Sequence, residues 1–198
     1  MWYSMVQPIT SELVSNDLYS ALRALPKWRR KVVLSYRFDI DKYICAKAYL
    51  LLKELLLVHY GISEDVEFEY GLYKKPSLKS FQDIHFNFSH CRKAVLCAVG
   101  NIPLGVDVEE IQYDEDILRE VFSYSERQII LNAEVPSIKF TEYWTQKESY
   151  LKLIGTGLTD DLKPLLNNIH PIVDFKTEVN QSCGFITTIA TFKNSTQK

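Results

Sequence analysis

The chain has 198 residues, 46% of them hydrophobic and 13% aromatic, enough to bury a substantial core as one domain or two small lobes. Its 23 basic and 25 acidic residues leave a net charge of −2, which provides no global basic field for nucleic acid, so any phosphate-binding charge must be local. The N-terminal MWYSMVQPIT has no charged leader ahead of a long apolar stretch, and Lys53 and Glu54 interrupt the longest apolar run, which argues against a secretory signal and a membrane span. Cys45, Cys91, Cys97 and Cys183 fit neither CxxC metal spacing nor a disulfide framework, so buried free thiols in a reducing cytoplasm are expected.

In chain order, a helix is expected over Ser20–Val33, carrying Arg23, Lys27, Arg29, Arg30 and Lys31 as the strongest basic cluster. A largely buried helix over Asp41–Tyr60 should stop at Gly61. Val66–Tyr70 alternates apolar and acidic residues as a half-buried strand does; a loop over Gly71–Asp83 leads to strands at Phe86–Ser89 and Ala94–Val99. The second half begins near Gly105 with a strand, followed by a helix over Asp114–Val121. Ser123 and Glu126 then form a capping box, which gives Glu126 a structural role. Phe140, Tyr143, Trp144, Leu151 and Ile154 recur at helical spacing up to Gly155-Thr156-Gly157, and Trp144 is expected to pack in the core. Cys183–Phe192 is β-branched and strand-like, and Asn194–Lys198 reads as a polar tail. Without a strict strand–helix alternation, the class is α+β.

Chemistry concentrates in three carboxylates. Asp107 and Glu109 are two apart in an extended segment, so they point the same way while Val106 and Val108 enter the core. Glu148 lies on the later helix and completes a cluster of hard oxygen donors suited to Mg2+, an ion usually held by a few carboxylates plus substrate phosphates. Lys152 is one turn beyond Glu148 and can face the same pocket, although a surface ion pair is the commoner explanation of such spacing. Lys147, adjacent to the charged Glu148, is either a second phosphate contact or simply solvated. Ser89 and His90 end an alternating strand; pointing to opposite faces, they suit phosphate hydrogen bonds better than a nucleophile–base pair. Lys75 before Pro76 is a compact cation on a restrained backbone.

The ordered motifs Lys75-Pro76, Phe86-Asn87-Phe88-Ser89-His90, Gly105-Val106-Asp107-Val108-Glu109 and Trp144-Thr145-Gln146-Lys147-Glu148-Ser149 with Lys152, followed by GxGL, resemble the large, monomeric 4'-phosphopantetheinyl transferases. The resemblance implies two similar α+β lobes forming a pseudo-twofold dimer in one chain, here 1–104 and 105–198, with coenzyme A in the cleft between them. It implies Mg2+-dependent transfer of phosphopantetheine from coenzyme A to a serine of an apo acyl or peptidyl carrier protein, with release of 3',5'-ADP. Asp107, Glu109 and Glu148 would hold the metal; Glu148, Lys152 and Asp107 would be catalytic. Lys27, Lys31, Lys75, Pro76, Ser89, His90, Lys147 and Lys152 would bind the coenzyme, with Lys27 and Lys31 at the 3'-phosphate. The chain departs from the family where a D-x-x-R segment is typical: Asp39-Ile40-Asp41-Lys42-Tyr43 lacks the arginine, leaving Lys42 or Arg37 to substitute. Carrier docking would fall near Tyr113, Ile117, Leu118, Val121 and Phe122. A degenerate coenzyme A binder and a Mg2+-dependent pyrophosphatase are the alternatives, and a cytoplasmic monomer that binds neither nucleic acid nor membrane is expected.

Overall fold

The Thr10 hydroxyl accepts from the Leu13 N–H and opens helix α1, Ser11–Ala24. In this computed structural model, which describes residues 1–71, 73–156, 162–169 and 171–193, the expected Ser20–Val33 helix is divided in two. Proline excludes the preceding residue from helical backbone, so Leu25 is extended, and α2 restarts at Lys27–Leu34. The Arg30 guanidinium donates to the Leu22, Arg23 and Leu25 carbonyls and thereby satisfies the end of α1. Helix α3, Asp39–Tyr60, ends at Gly61 in the left-handed region, as expected.

Helix α3 supplies the axis of the first core through buried Tyr43, Tyr49, Leu52, Leu55 and Leu56. It lies on an antiparallel sheet of order β1-β5-β4, where β1 is Trp2–Pro8, β4 is His85–His90 and β5 is Ala94–Gly100. The expected Val66–Tyr70 strand is only β2, Phe68–Tyr70, and the expected loop contains β3, Pro76–Leu78, paired with it. Strand β5 is buried on both faces: Val95, Cys97 and Val99 face α3, while Ala94, Leu96 and Ala98 pack on a second sheet.

That second sheet is antiparallel, of order β6-β8-β7, with β6 Leu104–Glu110, β7 Val173–Asn180 and β8 Phe185–Phe192. Leu104, Val106, Val108, Phe185 and Ile189 meet β5 across the interface. Helix α6, Pro136–Ile154, crosses the other face and ends at Gly155 in the left-handed region. Helices α4, Glu115–Val121, and α5, Tyr124–Leu131, pack beside it, and the capping box between Ser123 and Glu126 is formed in both directions. The short α7, Leu165–Ile169, precedes β7. The architecture is mixed α+β. Strands β1 and β7 and helix α7 have no counterpart among the expected elements; Gly157 and the Asn194–Lys198 tail lie outside the described residues. The four cysteines are free, but only Cys97 is buried: Cys45 and Cys91 are half-buried and Cys183 is exposed, contrary to the expectation that all are buried. Among the described residues no helix is long and apolar enough to cross a membrane.

Candidate active site

The site is built where the edges of β4 and β6 adjoin. Alternation along β4 sends Phe86 and Phe88 into the α3 core and leaves Asn87 and Ser89 for β6. The Val106 N–H, on the edge of β6 away from β8, donates to Asn87 Oδ1 at 2.9 Å. Ser89 Oγ donates to Asp107 Oδ1 at 2.8 Å. Ser89 and Asn87 therefore tether the two sheets beside the first carboxylate.

Gly105 explains how α6 comes close enough to complete the cluster. A Cβ there would lie 2.1 Å from the Ser149 carbonyl oxygen and 2.2 Å from the Leu153 nitrogen, so the helix backbone rests directly on the strand. Glu148 and Lys152, four apart, are thereby carried over Asp107. Lys152 Nζ donates to Asp107 Oδ1 at 2.6 Å and to Ser89 Oγ at 2.8 Å, closing a triangle of charge-assisted hydrogen bonds. The Lys152 pairing is thus to a strand carboxylate across the site and is not the surface helix pair that its spacing alone allows.

Asp107 is 1% exposed, and its second oxygen, Oδ2, is buried without a partner. Burial, then repulsion from Asp107, pushes Glu109 up to about 7, with a smaller push from Glu148; a hydrogen bond from Trp144 and the charge of Lys152 oppose this. Glu148 is likewise raised, first by burial and then by Asp107, against Lys152. Three carboxylates that feel one another against one ammonium, with an oxygen left over, form a donor set that fits a hard divalent cation such as Mg2+. Among the described residues, however, no group of three or more His, Cys, Asp or Glu side chains is arranged so that it could hold a metal ion, and Lys152 instead occupies Asp107 Oδ1.

A cavity of about 300 Å³ opens beside this cluster, lined by Tyr73, Lys74, Lys75, Pro76, Asn87, Phe88, Glu148, Leu151, Lys152 and Gly155. Lys75 reaches across from the first half of the chain and donates to the Leu104 and Leu153 carbonyls at 3.1 Å each, satisfying the end of α6. Burial lowers its pKa to about 8. Lys74 holds the turn before it with φ 60. His90 lies at the strand end, on the opposite face from Ser89; partial desolvation and the Lys152 charge hold its pKa below the ordinary range, against the attraction of Asp41 and Asp107.

Other expected site residues lie elsewhere. Lys27 and Lys31 line a separate concavity of about 390 Å³ with Arg30, Leu34 and Ser35. Lys42 pairs with Asp39 at 2.7 Å, and Arg37 lies over the Phe38 ring. Lys147 requires a correction: fully buried, it faces away from the cavity and donates to Glu126 Oε2 at 3.0 Å, the Val121 carbonyl at 3.2 Å and the Leu162 carbonyl at 2.6 Å. Adjacent helical residues are about 100° apart around the axis, so Lys147 cannot share the direction of Glu148. The expected docking patch also contracts, because Leu118 and Phe122 are buried in the core under α4 and only Tyr113 is well exposed. Asn87, Gly105 and Tyr73 are site residues that motif reading left without a role.

Residues 103–191 match the family model described as the 4'-phosphopantetheinyl transferase superfamily. The chain is similar to the 4'-phosphopantetheinyl transferase gsp of Aneurinibacillus migulanus, 37% identical over 138 residues, which is 67% of this chain and 56% of that protein. It is 32% identical over 135 residues to the transferase psf-1 of Bacillus pumilus, covering 66% of this chain and 58% of that protein. With the 4'-phosphopantetheinyl transferase Sfp of Bacillus subtilis strain 168 the identity is 29% over 170 residues, 84% of this chain and 74% of that protein. The matches to the first two relatives thus span little more than half of their lengths.

Proposed function

We propose that this chain, which belongs to the 4'-phosphopantetheinyl transferase superfamily, moves the 4'-phosphopantetheine group of coenzyme A to a serine hydroxyl of an apo acyl or peptidyl carrier protein, with release of 3',5'-ADP. The observation that carries this reading is buried Asp107, with one oxygen unpartnered and the other bound by Ser89 and by Lys152, which lines a cavity together with Glu148. Asp107, Glu109 and Glu148 would hold Mg2+, which, when bound, supplies positive charge to the pyrophosphate oxygens.

The chain's own residues account for the remaining requirements. Lys152, able to turn from Asp107 toward the cavity it lines, neutralises charge on the departing phosphate, and Ser89 and His90, facing opposite sides of β4, contact different parts of the coenzyme. Lys75 and Pro76 shape the wall on which the coenzyme rests, with Lys27 and Lys31 taking the 3'-phosphate. Glu148 accepts the serine proton, a task for which burial and the neighbouring Asp107, by raising its pKa, make it a stronger base than an ordinary glutamate. Attack of the serine oxygen on the β-phosphorus forms the new phosphoester as the pyrophosphate bond breaks, and 3',5'-ADP leaves with the bond's electron pair. Residues 1–104 and 105–198 act as two lobes of a monomer in the cytoplasm, a division supported by each half having a long helix on a three-stranded antiparallel sheet.

Intact-mass spectrometry of several apo carriers incubated with the protein, coenzyme A and Mg2+ tests the reading. A mass gain equal to phosphopantetheine on a carrier serine, lost without metal and lost in Asp107→Ala, is expected. Coenzyme cleavage without carrier modification would replace the transferase with a pyrophosphatase, and coenzyme binding with no reaction on any carrier would leave a degenerate binder.

A further inference from the structure

We infer that a one-way chain of hydroxyl hydrogen bonds beneath α6 fixes Glu148 and Lys152 over Asp107, with Thr188 as its central positioning residue; the catalytic part of this inference rests on the transferase reading above. Thr145 and Thr188 are both 0% exposed. Their hydroxyl oxygens lie 2.7 Å apart, Thr188 Oγ1 is 3.0 Å from Thr177 Oγ1, and Gln146 Nε2 donates to Thr177 Oγ1 at 3.4 Å. At the other end Thr145 donates to the Glu142 carbonyl at 3.0 Å.

Counting protons gives the chain a direction. Each hydroxyl has one proton, and that of Thr145 is used on Glu142. Thr188 therefore donates to Thr145, and Thr177, which accepts from Gln146, donates to Thr188. The path leaves α6 at Gln146, crosses β7 and β8, and returns to α6 at Thr145, with every member satisfied, the condition under which a buried polar network specifies one arrangement.

Its placement connects it with the reacting groups. Thr188 is the register partner of both Asp107 and Thr177, so Thr177, Thr188 and Asp107 form one row across the second sheet. Thr145 precedes Glu148 by three residues and Lys152 by seven, so all three lie along one stripe of α6. The sheet half of the chain thus shares its row with Asp107, and the helix half shares its stripe with the groups that must meet Asp107. The close approach at Gly105 sets the distance between helix and strand but carries no directional bond. The hydroxyl chain sets the rotation and axial register of α6. Slippage by one residue would turn Glu148 by about 100° away from the cavity.

The test compares Thr188→Val, nearly the same shape without the hydroxyl, with Thr188→Ser, which keeps it. Carrier modification by Thr188→Val should show kcat reduced about 10- to 100-fold with the KM for coenzyme A within about twofold, as expected for a small misplacement of reacting groups. Thr188→Ser should restore most of the rate. A second readout needs neither coenzyme nor carrier: hydrogen–deuterium exchange at the amides of 145–152 should quicken in Thr188→Val while the β5 amides are unchanged. Thr177→Val, at a less buried position, should show the same pattern more weakly if Thr188→Val does not fold. Unchanged kcat and unchanged α6 exchange in folded variants, or equal losses in the Ser and Val variants, would overturn the inference. If the wild type modifies no carrier, the transferase reading fails on its own, and the exchange measurement still decides whether the chain locks α6.

Discussion

Lys147→Met separates a buried anchor from a coenzyme ligand at the residue next to Glu148. Acceptors surround the ammonium at 2.6 to 3.5 Å, among them Glu126 Oε2 and the Val121, Leu162 and Lys163 carbonyls, with the Phe122 ring 5.1 Å from Nζ. The lysine and glutamate side chains are 1% and 3% exposed. Methionine matches the length of the stem but leaves Glu126 with only the Ser123 N–H bond, and its Oε1 already has no partner. Breaking one side of a buried ion pair costs about 3–5 kcal/mol. For a chain of this size that corresponds to a fall in Tm of roughly 6–20 °C. Adding Glu126→Gln removes the stranded charge while keeping a residue suited to the capping box, so the double variant should recover about 1–3 kcal/mol relative to the sum of the two single changes. Thermal unfolding by circular dichroism and coenzyme A titration by calorimetry read the two effects separately. If Lys147→Met weakened coenzyme binding tenfold or more with Tm unchanged, the lysine would reach substrate and the anchor assignment would be wrong.

Two further perturbations probe the strand that carries the carboxylates. Gly105→Ala should cost at least about 3 kcal/mol, the upper part of the overpacking range, because its Cβ would strike helix backbone that no rotamer change can move. Gly71→Ala, with nothing within 4 Å of its Cβ, is the control, and equal unfolding midpoints for the two variants in urea would refute the close-packing argument. Glu109 gives a pH signature. Its folded pKa is raised to about 7, so between the ordinary glutamate value of about 4.3 and pH 7 the folded state holds a proton that the unfolded state has lost. Stability from this group therefore falls as pH rises through that window and levels off above it. Urea unfolding in the presence of EDTA should show a steeper loss from pH 5 to pH 7 in the wild type than in Glu109→Gln; matching slopes would remove the raised pKa.

Much of the site could be read from local periodicity because the relevant signals are short. The two-residue repeat of β6 places Asp107 and Glu109 on one face with Val106 and Val108 in the core, and the four-residue spacing of Glu148 and Lys152 places both toward Asp107. The same geometry had the power to exclude Lys147, one residue from Glu148 and therefore a quarter-turn or more away around α6. Its inclusion came from motif adjacency, which ignores direction. The division of the first helix was also present in the sequence, since Pro26 restricts the residue before it. Strand β7 carries a plain alternation, Val173, Phe175, Thr177 and Val179 against Asp174, Lys176 and Glu178, that by itself predicts a strand.

What no window could reveal are contacts between distant segments. Asn87 looks like one more polar residue in an alternating strand until the edge of β6 is placed beside it and Val106 needs an acceptor. Gly105 looks like a permissive residue at a strand start until Ser149 and Leu153 lie on it. Lys75 looks like a free loop cation, yet it ties the Leu104 and Leu153 carbonyls across the two halves of the chain and titrates near 8 as a result of its burial. These residues have a common function: each lets β4, β6 and α6 converge, by bridging a strand edge, by removing a side chain, or by satisfying carbonyls at the seam. The carboxylates and Lys152 can be recognised from their chemistry, whereas the residues that bring them together are ordinary types whose role exists only in the assembled fold. Substitutions at Asn87, Gly105 and Lys75 should accordingly reduce activity through the spacing of Asp107 and Glu148, even though none of the three supplies a carboxylate to the site.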